Sequence, residues 1–384
     1  MENPKTIVIL GGGVGGLIAA RELRKRLAKK HRVVLIDRER QHVFAPSLLW
    51  LLVGERTAEA IQKPLQRLER KGIEVRHGEI EALDPVARQV TVNGEAMTAD
   101  FLVVALGAEL APDLIPGLAE AGHNFYTLEG AQTLAAALDG APAGSRVVVL
   151  TAAPAYKCPA APYEAAMLIE ARLRERGAPG AVAVYAAEPM PMGVAGPEMA
   201  GAVVQLLQSK QIPYHPEHQV QSVDAAARRL TFANGSTADF DVLAYVPPHR
   251  APKVIRDSAL AGALGWVSVD RNTLATQFPG VFAIGDAVSI PLQLGKPLPK
   301  AGVFAHGQAE VVAKNIAAAI AGEPGDARFL GHGECFVEIG DGKAAFGGGN
   351  FYAEPKPEVK LHAPSRKWHL GKVLFEKAWL NTKL

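Results

Sequence analysis

The chain has 384 residues, enough for two to three domains, and 48% of them are hydrophobic, so proper cores can be built. Lys and Arg total 41 against 39 Asp and Glu, and a net charge of +2 supplies no global field for nucleic acid, which excludes that class of partner. The uncharged stretch from Gln41 to Gly54 is too short to span a membrane, no basic-then-apolar leader precedes the first strand, and two cysteines are too few for a secreted disulfide scaffold.

Thr6 to Leu10 reads as a buried strand, Gly11-Gly12-Gly13-Val14-Gly15-Gly16 as a glycine turn, Leu17 to about Lys29 as a helix, and Val33 to Asp37 as a second strand. Continuous apolar runs alternating with helices indicate parallel strands covered on both faces. The spacing of Gly11, Gly13 and Gly16 permits a tight turn, close approach of backbone to a pyrophosphate, and close packing of helix on strand. Asp37, ending the second strand, can accept hydrogen bonds from ribose hydroxyls. Val92-Asn93-Gly94-Glu95 and Phe232 to Ser236 carry hairpin turn signals. A second strand–turn–helix–strand unit runs from Arg146 to Leu150, through a helix at about Pro162 to Arg176, to a strand at Ala181 to Tyr185. Its turn, Thr151-Ala152-Ala153-Pro154-Ala155-Tyr156, has no glycine, and Pro154 withholds an amide, so no nicotinamide site is expected there. Glu188, just past the next strand, reads as a solvated strand end or as the remnant of a ribose acid. His215 and His218 frame an apparent solvated loop without enough partners for a metal. After about Gly325 the pattern dissolves into Gly-rich and Pro-rich segments and a basic, aromatic tail.

Two further stretches, Asp100 to Gly107 and Thr276 to Ala287, resemble the paired motifs of the two-dinucleotide-domain flavoproteins, the pyridine nucleotide-disulfide oxidoreductase superfamily. The resemblance implies an α/β fold of two Rossmann-like domains with a small C-terminal region. Residues 1–110 and 265–325 would form a discontinuous FAD-binding domain, 111–264 the second domain with a degenerate nucleotide site, and 326–384 the C-terminal region. It also implies bound FAD, held by Gly11, Gly13, Gly16, Asp37, Arg38, Pro46, Ile80, Ala105, Gly107, Gly285, Asp286, Lys300, Ala301 and Gly302. Asp286 would bind the ribityl chain. The helix starting near Ala301 would aim its dipole at the flavin N1 and C2 carbonyl region, with Lys300 beside it.

Lys157-Cys158-Pro159-Ala160-Ala161-Pro162-Tyr163-Glu164 resembles the first redox-cysteine motif of the sulfide dehydrogenases, the sulfide:quinone oxidoreductases and the flavocytochrome c flavoprotein subunit; Gly333-Glu334-Cys335-Phe336 stands where the second cysteine lies. What this implies is FAD-dependent oxidation of sulfide through a Cys158/Cys335 redox pair. Cys335 would lie closest to the flavin C4a, Glu164 would carry protons, and electrons would leave to a quinone. The chain lacks the third cysteine of many such enzymes. The flavocytochrome subunit tethers its flavin through a cysteine after the ribose acid; here His42-Val43-Phe44-Ala45-Pro46-Ser47 has none, so FAD is expected to be non-covalent, with His42 an ordinary loop histidine rather than a tether. His306 stands where relatives often carry an acid. The alternatives are a cytochrome or other electron-transfer protein as acceptor, a type II NADH dehydrogenase, and a flavin-binding protein without activity. The tail from Arg366 to Leu380 suits a helix on a membrane surface, on the protein body, or on a second copy in a homodimer. A cytoplasmic location is expected, with the tail able to dock on the inner face of the cytoplasmic membrane.

Overall fold

The computed structural model describes residues 3–262 and 264–384. The first unit contains strand β1 (Thr6–Leu10), helix α1 (Val14–Arg26), and strands β2 (Arg32–Asp37), β3 (Glu74–His77) and β4 (Phe101–Val104). The second contains β5 (His123–Asn124), β6 (Arg146–Thr151), α2 (Ala161–Glu175), β7 (Ala181–Ala186), β8 (Tyr214–His215) and β9 (Val242–Val246). The chain then returns with β10 (Val281–Ala283) and α3 (Gly302–Ala321), and ends with β11 (His332–Gly340), β12 (Lys343–Asn350), β13 (Glu358–Ser365) and α4 (Arg366–Thr382).

The two larger sheets are parallel, in the orders β10-β4-β1-β2-β3 and β5-β9-β6-β7-β8. Each places its glycine-turn or turn-equivalent segment at the carboxyl ends of the central strands, where the strand order reverses and α/β sheets bind ligands. The return of β10 to β4 ties residues 281–283 to the first sheet. Ile7 to Leu10 and Val33 to Ile36 are buried throughout, as strands covered on both faces must be.

Helix α1 begins three residues earlier and ends about three earlier than the apolar pattern indicates. The Arg24 guanidinium donates to the carbonyls of Leu27, Ala28 and His31 at 2.7, 2.6 and 2.8 Å, satisfying groups a longer helix would have used. The Asn93-Gly94 turn is a two-residue hairpin with both residues at positive φ, pairing Val92 with Glu95.

The expectation of irregular structure after Gly325 is corrected: β11, β12 and β13 form an antiparallel sheet, and α4 follows it directly. Gly347-Gly348-Gly349 hid the strand pattern. A Cβ on Gly349 would fall 1.8 Å from the Glu358 carbonyl oxygen and one on Gly348 2.6 Å from Glu334 Cγ, so the neighbouring strands leave no room for side chains. The Asp341-Gly342 pair, both at positive φ, is the hairpin signal that marks this sheet.

Candidate functional site

The glycine turn is built as its spacing requires. Gly11 takes φ +100° with its Cβ position 2.5 Å from the Ala105 carbonyl, and a Cβ on Gly16 would strike the Gly11 oxygen at 1.8 Å. Nothing lies within 4 Å of the Gly13 Cβ position, which leaves an open cradle for a ligand. Asp37 accepts the Gly12 N–H and, at 2.7 Å, the Glu39 N–H. The Gly302 Cβ position lies 3.4 Å from Val14, so the amino ends of α1 and α3 meet beside this turn and both favour negative charge there.

Of the other cofactor candidates, Gly107 is at positive φ with open space at its Cβ position. Gly285 donates to Gln308 Oε1 at 2.7 Å. Pro46 lies in the turn Ala45–Ser47, Ile80 is buried at the start of a small antiparallel sheet, and Arg38 is exposed beside Glu39 at 3.6 Å. The Asp286 carboxylate has no hydrogen-bond partner among the described residues; burial raises it above the usual carboxylate range against the pull of Lys157 and Lys300. Lys300 donates to the carbonyls of Asp286 and Val288 at 2.6 and 2.9 Å, and its Nζ lies 3.5 Å from the Trp266 ring centre. Burial lowers this ammonium to about 8. His249 Nε2 is also buried without a partner. An open glycine cradle, two converging helix ends and unsatisfied polar groups fit a bound dinucleotide.

The two cysteines line one pocket of about 430 Å³ together with Lys300, Ala301, Phe304 and Met192. Cys158 sits at φ +51°, its N–H donating to the Lys300 carbonyl at 2.7 Å and its own carbonyl accepting Tyr126 Oη at 3.0 Å. The segment that enters α3 and the cysteine loop are therefore pinned to each other. Cys335, on β11, donates to the Phe336 carbonyl at 3.2 Å and opens onto the cleft. Burial, then the Glu164 carboxylate, pushes the Cys158 thiol up to about 12, while Lys372 opposes them. The Cys335 thiol is raised by the enclosing protein, by Cys158 and by Glu164. Both shifts favour the protonated thiol, so thiolate chemistry here is served by a nearby proton acceptor.

Glu164 is buried on α2, where its Oε2 accepts Lys372 Nζ at 2.9 Å and the Glu338 N–H at 2.8 Å. Neither partner stands in a recognisable motif. Lys372 lies inside what reads as a basic tail, and the clue was its spacing: His369, Lys372, Glu376 and Trp379 are three, four and three residues apart, which is one face of a helix.

Several expectations are corrected. Glu188 is neither solvated nor free for a ribose: it is buried and accepts Thr151 Oγ1 at 2.7 Å and the hydroxyls of Tyr156 and Tyr163 at 2.5 Å each. Side-chain hydroxyls occupy the place that nucleotide hydroxyls would take. His42 is not an ordinary loop residue. It is buried, its Nε2 accepts Trp379 Nε1 at 3.0 Å, and its Nδ1 therefore carries the proton it donates to the Gly12 carbonyl at 2.9 Å. His215 and His218 lie not in a solvated loop but around Tyr185, with His215 stacked at 4.3 Å and His218 edge-on at 5.3 Å. Among the described residues no group of His, Cys, Asp and Glu could hold a metal. His306 lies 3.3 Å from Glu310 and faces the Trp379 ring.

Helix α4 carries charged and apolar residues on both its faces. Its inward face carries Lys372 and Glu376 beside Trp379 and Leu380, with Glu376 bonded to Ser47 Oγ at 2.6 Å and to Arg56, while Leu370, Leu374 and Phe375 are exposed along with Arg366, Lys367 and Lys377. No helix among the described residues is long and apolar enough to cross a membrane.

Residues 5–309 match the family model described as pyridine nucleotide-disulphide oxidoreductase. The mouse mitochondrial sulfide:quinone oxidoreductase is 27% identical over 309 residues, 76% of this chain and 67% of the mouse protein. An Arabidopsis thaliana alternative NAD(P)H-ubiquinone oxidoreductase is 28% identical over 83% of this chain and 68% of its own length. The X-ray structure of the Aquifex aeolicus sulfide:quinone oxidoreductase superposes with a TM-score of 0.88 at 26% identity, covering 99% of this chain and 91% of that one.

Proposed function

From the chain's membership of the pyridine nucleotide-disulphide oxidoreductase family, we propose that it oxidises sulfide at Cys158 and Cys335 with FAD and passes the electrons to a quinone. The observation that carries this reading is the meeting of both cysteines on one pocket beside Lys300 and the amino end of α3. The likeness to the mouse and Aquifex aeolicus enzymes supports it. Residues 1–110 with 265–325 form the FAD-binding domain in this reading, 111–264 the second domain and 326–384 the C-terminal region.

In the oxidised enzyme the two cysteines are joined directly or through sulfur. Hydrosulfide attacks this bridge; a sulfur–sulfur bond forms to one cysteine as the other leaves as a thiolate. Lys372, which lowers both thiols, favours that leaving group, and Glu164 takes the proton given up by hydrogen sulfide. FAD, when bound, supplies a two-electron acceptor. Gly11, Gly13, Gly16, Asp37, Gly107, Asp286, Lys300 and Gly302 hold it, and the paired amino ends of α1 and α3 favour negative charge on it. Leu370, Leu374 and Phe375, flanked by Lys367 and Lys377, suit α4 to an anionic bilayer surface, where quinones dissolve.

Anaerobic mixing followed at the flavin absorbance band tests the reading. Sulfide is expected to bleach the flavin at least ~100-fold faster than NADH, about 2.7 kcal/mol of barrier, because side chains fill the second nucleotide turn. Bleaching by NADH at a comparable rate would assign the protein to the NADH dehydrogenases. Sulfide bleaching with reoxidation by a cytochrome but not by quinones would change the acceptor.

A further inference from the structure

Behind the cysteine pocket runs a file of charged side chains from α2, α4 and β11 that the sulfide reading uses only at its inner end. Glu164, Lys372 and Glu338 have side chains 2%, 4% and 1% exposed, and His369, at the outer end, is 27% exposed. Lys372 Nζ donates to Glu164 Oε2 at 2.9 Å, and His369 Nδ1 lies 3.0 and 3.2 Å from the two Glu338 carboxylate oxygens. Glu164 Oε1 has no hydrogen-bond partner among the described residues, so it is free to receive a proton. The Trp50 ring is edge-on to His369 at 6.0 Å and lies 4.9 Å from Lys372 Nζ, screening the file with an apolar surface. Outside it stand Glu55 and Arg56, with Glu175 of α2 close enough to influence Glu55.

Counting charges exposes the need for one more proton. Two buried carboxylates face a single buried ammonium, and an uncompensated buried charge is strongly disfavoured. The imidazole of His369, against both oxygens of Glu338 and partly exposed, is the group that can hold the balancing proton and still reach water. We propose that Glu338 and His369 form the proton port of the cysteine pocket, exchanging protons between Glu164 and solvent through re-pairing of Lys372.

A proton released in the pocket binds Glu164 Oε1. The neutralised Glu164 loosens its hold on Lys372, whose ammonium shifts toward Glu338. That carboxylate no longer needs the imidazolium, and His369 gives its proton to water past Glu55. One proton enters, one leaves, no electrons move, and the file is neutral before and after. Burial works against the Lys372 ammonium, but Glu164 and Glu338 outweigh it and hold it above its usual range; burial likewise raises Glu338. Glu338 and His369 are positioning groups that act through Glu164. The port rests on the sulfide reading only for the source of the proton.

The test uses the FAD-bound protein and two variants, His369→Gln and Glu338→Gln, with FAD content and circular dichroism as checks on folding. After anaerobic reduction of the cysteine bridge with a phosphine and removal of the phosphine, labelling of Cys158 and Cys335 by iodoacetamide, followed by mass spectrometry from pH 5 to 10 without sulfide, reads how readily each thiol ionises. The parent is expected to show an inflection below that of the thiols themselves. His369→Gln should lose it and label about tenfold more slowly below it, converging with the parent above, since one pKa unit is a tenfold change. Glu338→Gln should lose the inflection without slowing. Sulfide-dependent bleaching by His369→Gln should slow about tenfold and recover with added imidazole. Superimposable labelling profiles in parent and His369→Gln would overturn the port, as would slowed bleaching that imidazole does not restore. If the labelling profiles differ as expected but sulfide bleaches neither protein, the sulfide reading fails and the port stands. A variant that misfolds leaves the other to decide.

Discussion

Replacing Lys372 with Met tests whether the buried pair on which the cysteine pocket rests is a real energetic link between α2 and α4. At 2.9 Å the Coulomb attraction is about 6 kcal/mol at an effective dielectric of ~20. Part of this is offset by desolvation in the parent, but the variant keeps the desolvated Glu164 and loses the partner. Breaking a buried pair in this way costs about 3–5 kcal/mol. Lys372→Met is therefore expected to lose about that much stability in urea unfolding. The double variant Lys372→Met/Glu164→Gln should recover at least half, because a neutral amide still accepts the Glu338 N–H and leaves one unpaired charge fewer. The pH dependence follows by linkage. Without the ammonium, protonation of the buried Glu164 carboxylate removes the uncompensated charge from the folded form. Stability of the single variant then falls as pH rises from 5 to 8, and its deficit narrows on acidification. A single variant within about 1 kcal/mol of the parent, or a double variant no better than the single, would refute the account.

Cys158→Ala and Cys335→Ala should each abolish bleaching by sulfide while retaining FAD, with the double variant no worse than either, as for residues that act as one unit; rapid-mixing spectroscopy reads this directly. Acid or heat should release intact FAD into the supernatant, because both His42 nitrogens are engaged and no cysteine lies between residues 42 and 47; yellow colour retained in the precipitate would contradict it. Leu374→Glu with Phe375→Glu should weaken binding to anionic vesicles at least tenfold, and quinone reduction with it, leaving sulfide-dependent bleaching intact. Both side chains are exposed, and Phe375 gives up edge contacts with Phe44 and Trp379, so a folding cost of about 1 kcal/mol is expected. Deleting α4 is a poorer test, since it would strip Lys372 from Glu164 and Trp379 from His42.

Local spacing carried much of this protein. The Gly11, Gly13 and Gly16 turn, the apolar runs flanking it and Asp37 were legible because a strand, a tight turn and a helix start are decided within a few residues. The Asn93-Gly94 hairpin was legible for the same reason. The C-terminal sheet was not, because Gly347 to Gly349 reflect crowding by Glu334 and Glu358, and crowding is a property of neighbours in space.

The amino acids alone identified Cys158, Cys335 and Glu164 as candidates, since each stands in a recognisable stretch of chain. What surrounds them was decided only when distant segments met. Lys372 is 208 positions from Glu164 and Trp379 is 337 from His42; Glu188 finds three hydroxyls, on a strand, in the turn after it and on a helix. A tail of mixed Lys and aromatic residues does not declare which face turns inward. Composition suggests that its apolar side packs and its charges meet water, whereas α4 buries Lys372 and Glu376 because partners of opposite charge and hydrogen-bonding hydroxyls wait there, and presents Leu370, Leu374 and Phe375 outward. A buried charge is tolerable only where a partner already stands, and that condition exists in the folded molecule alone.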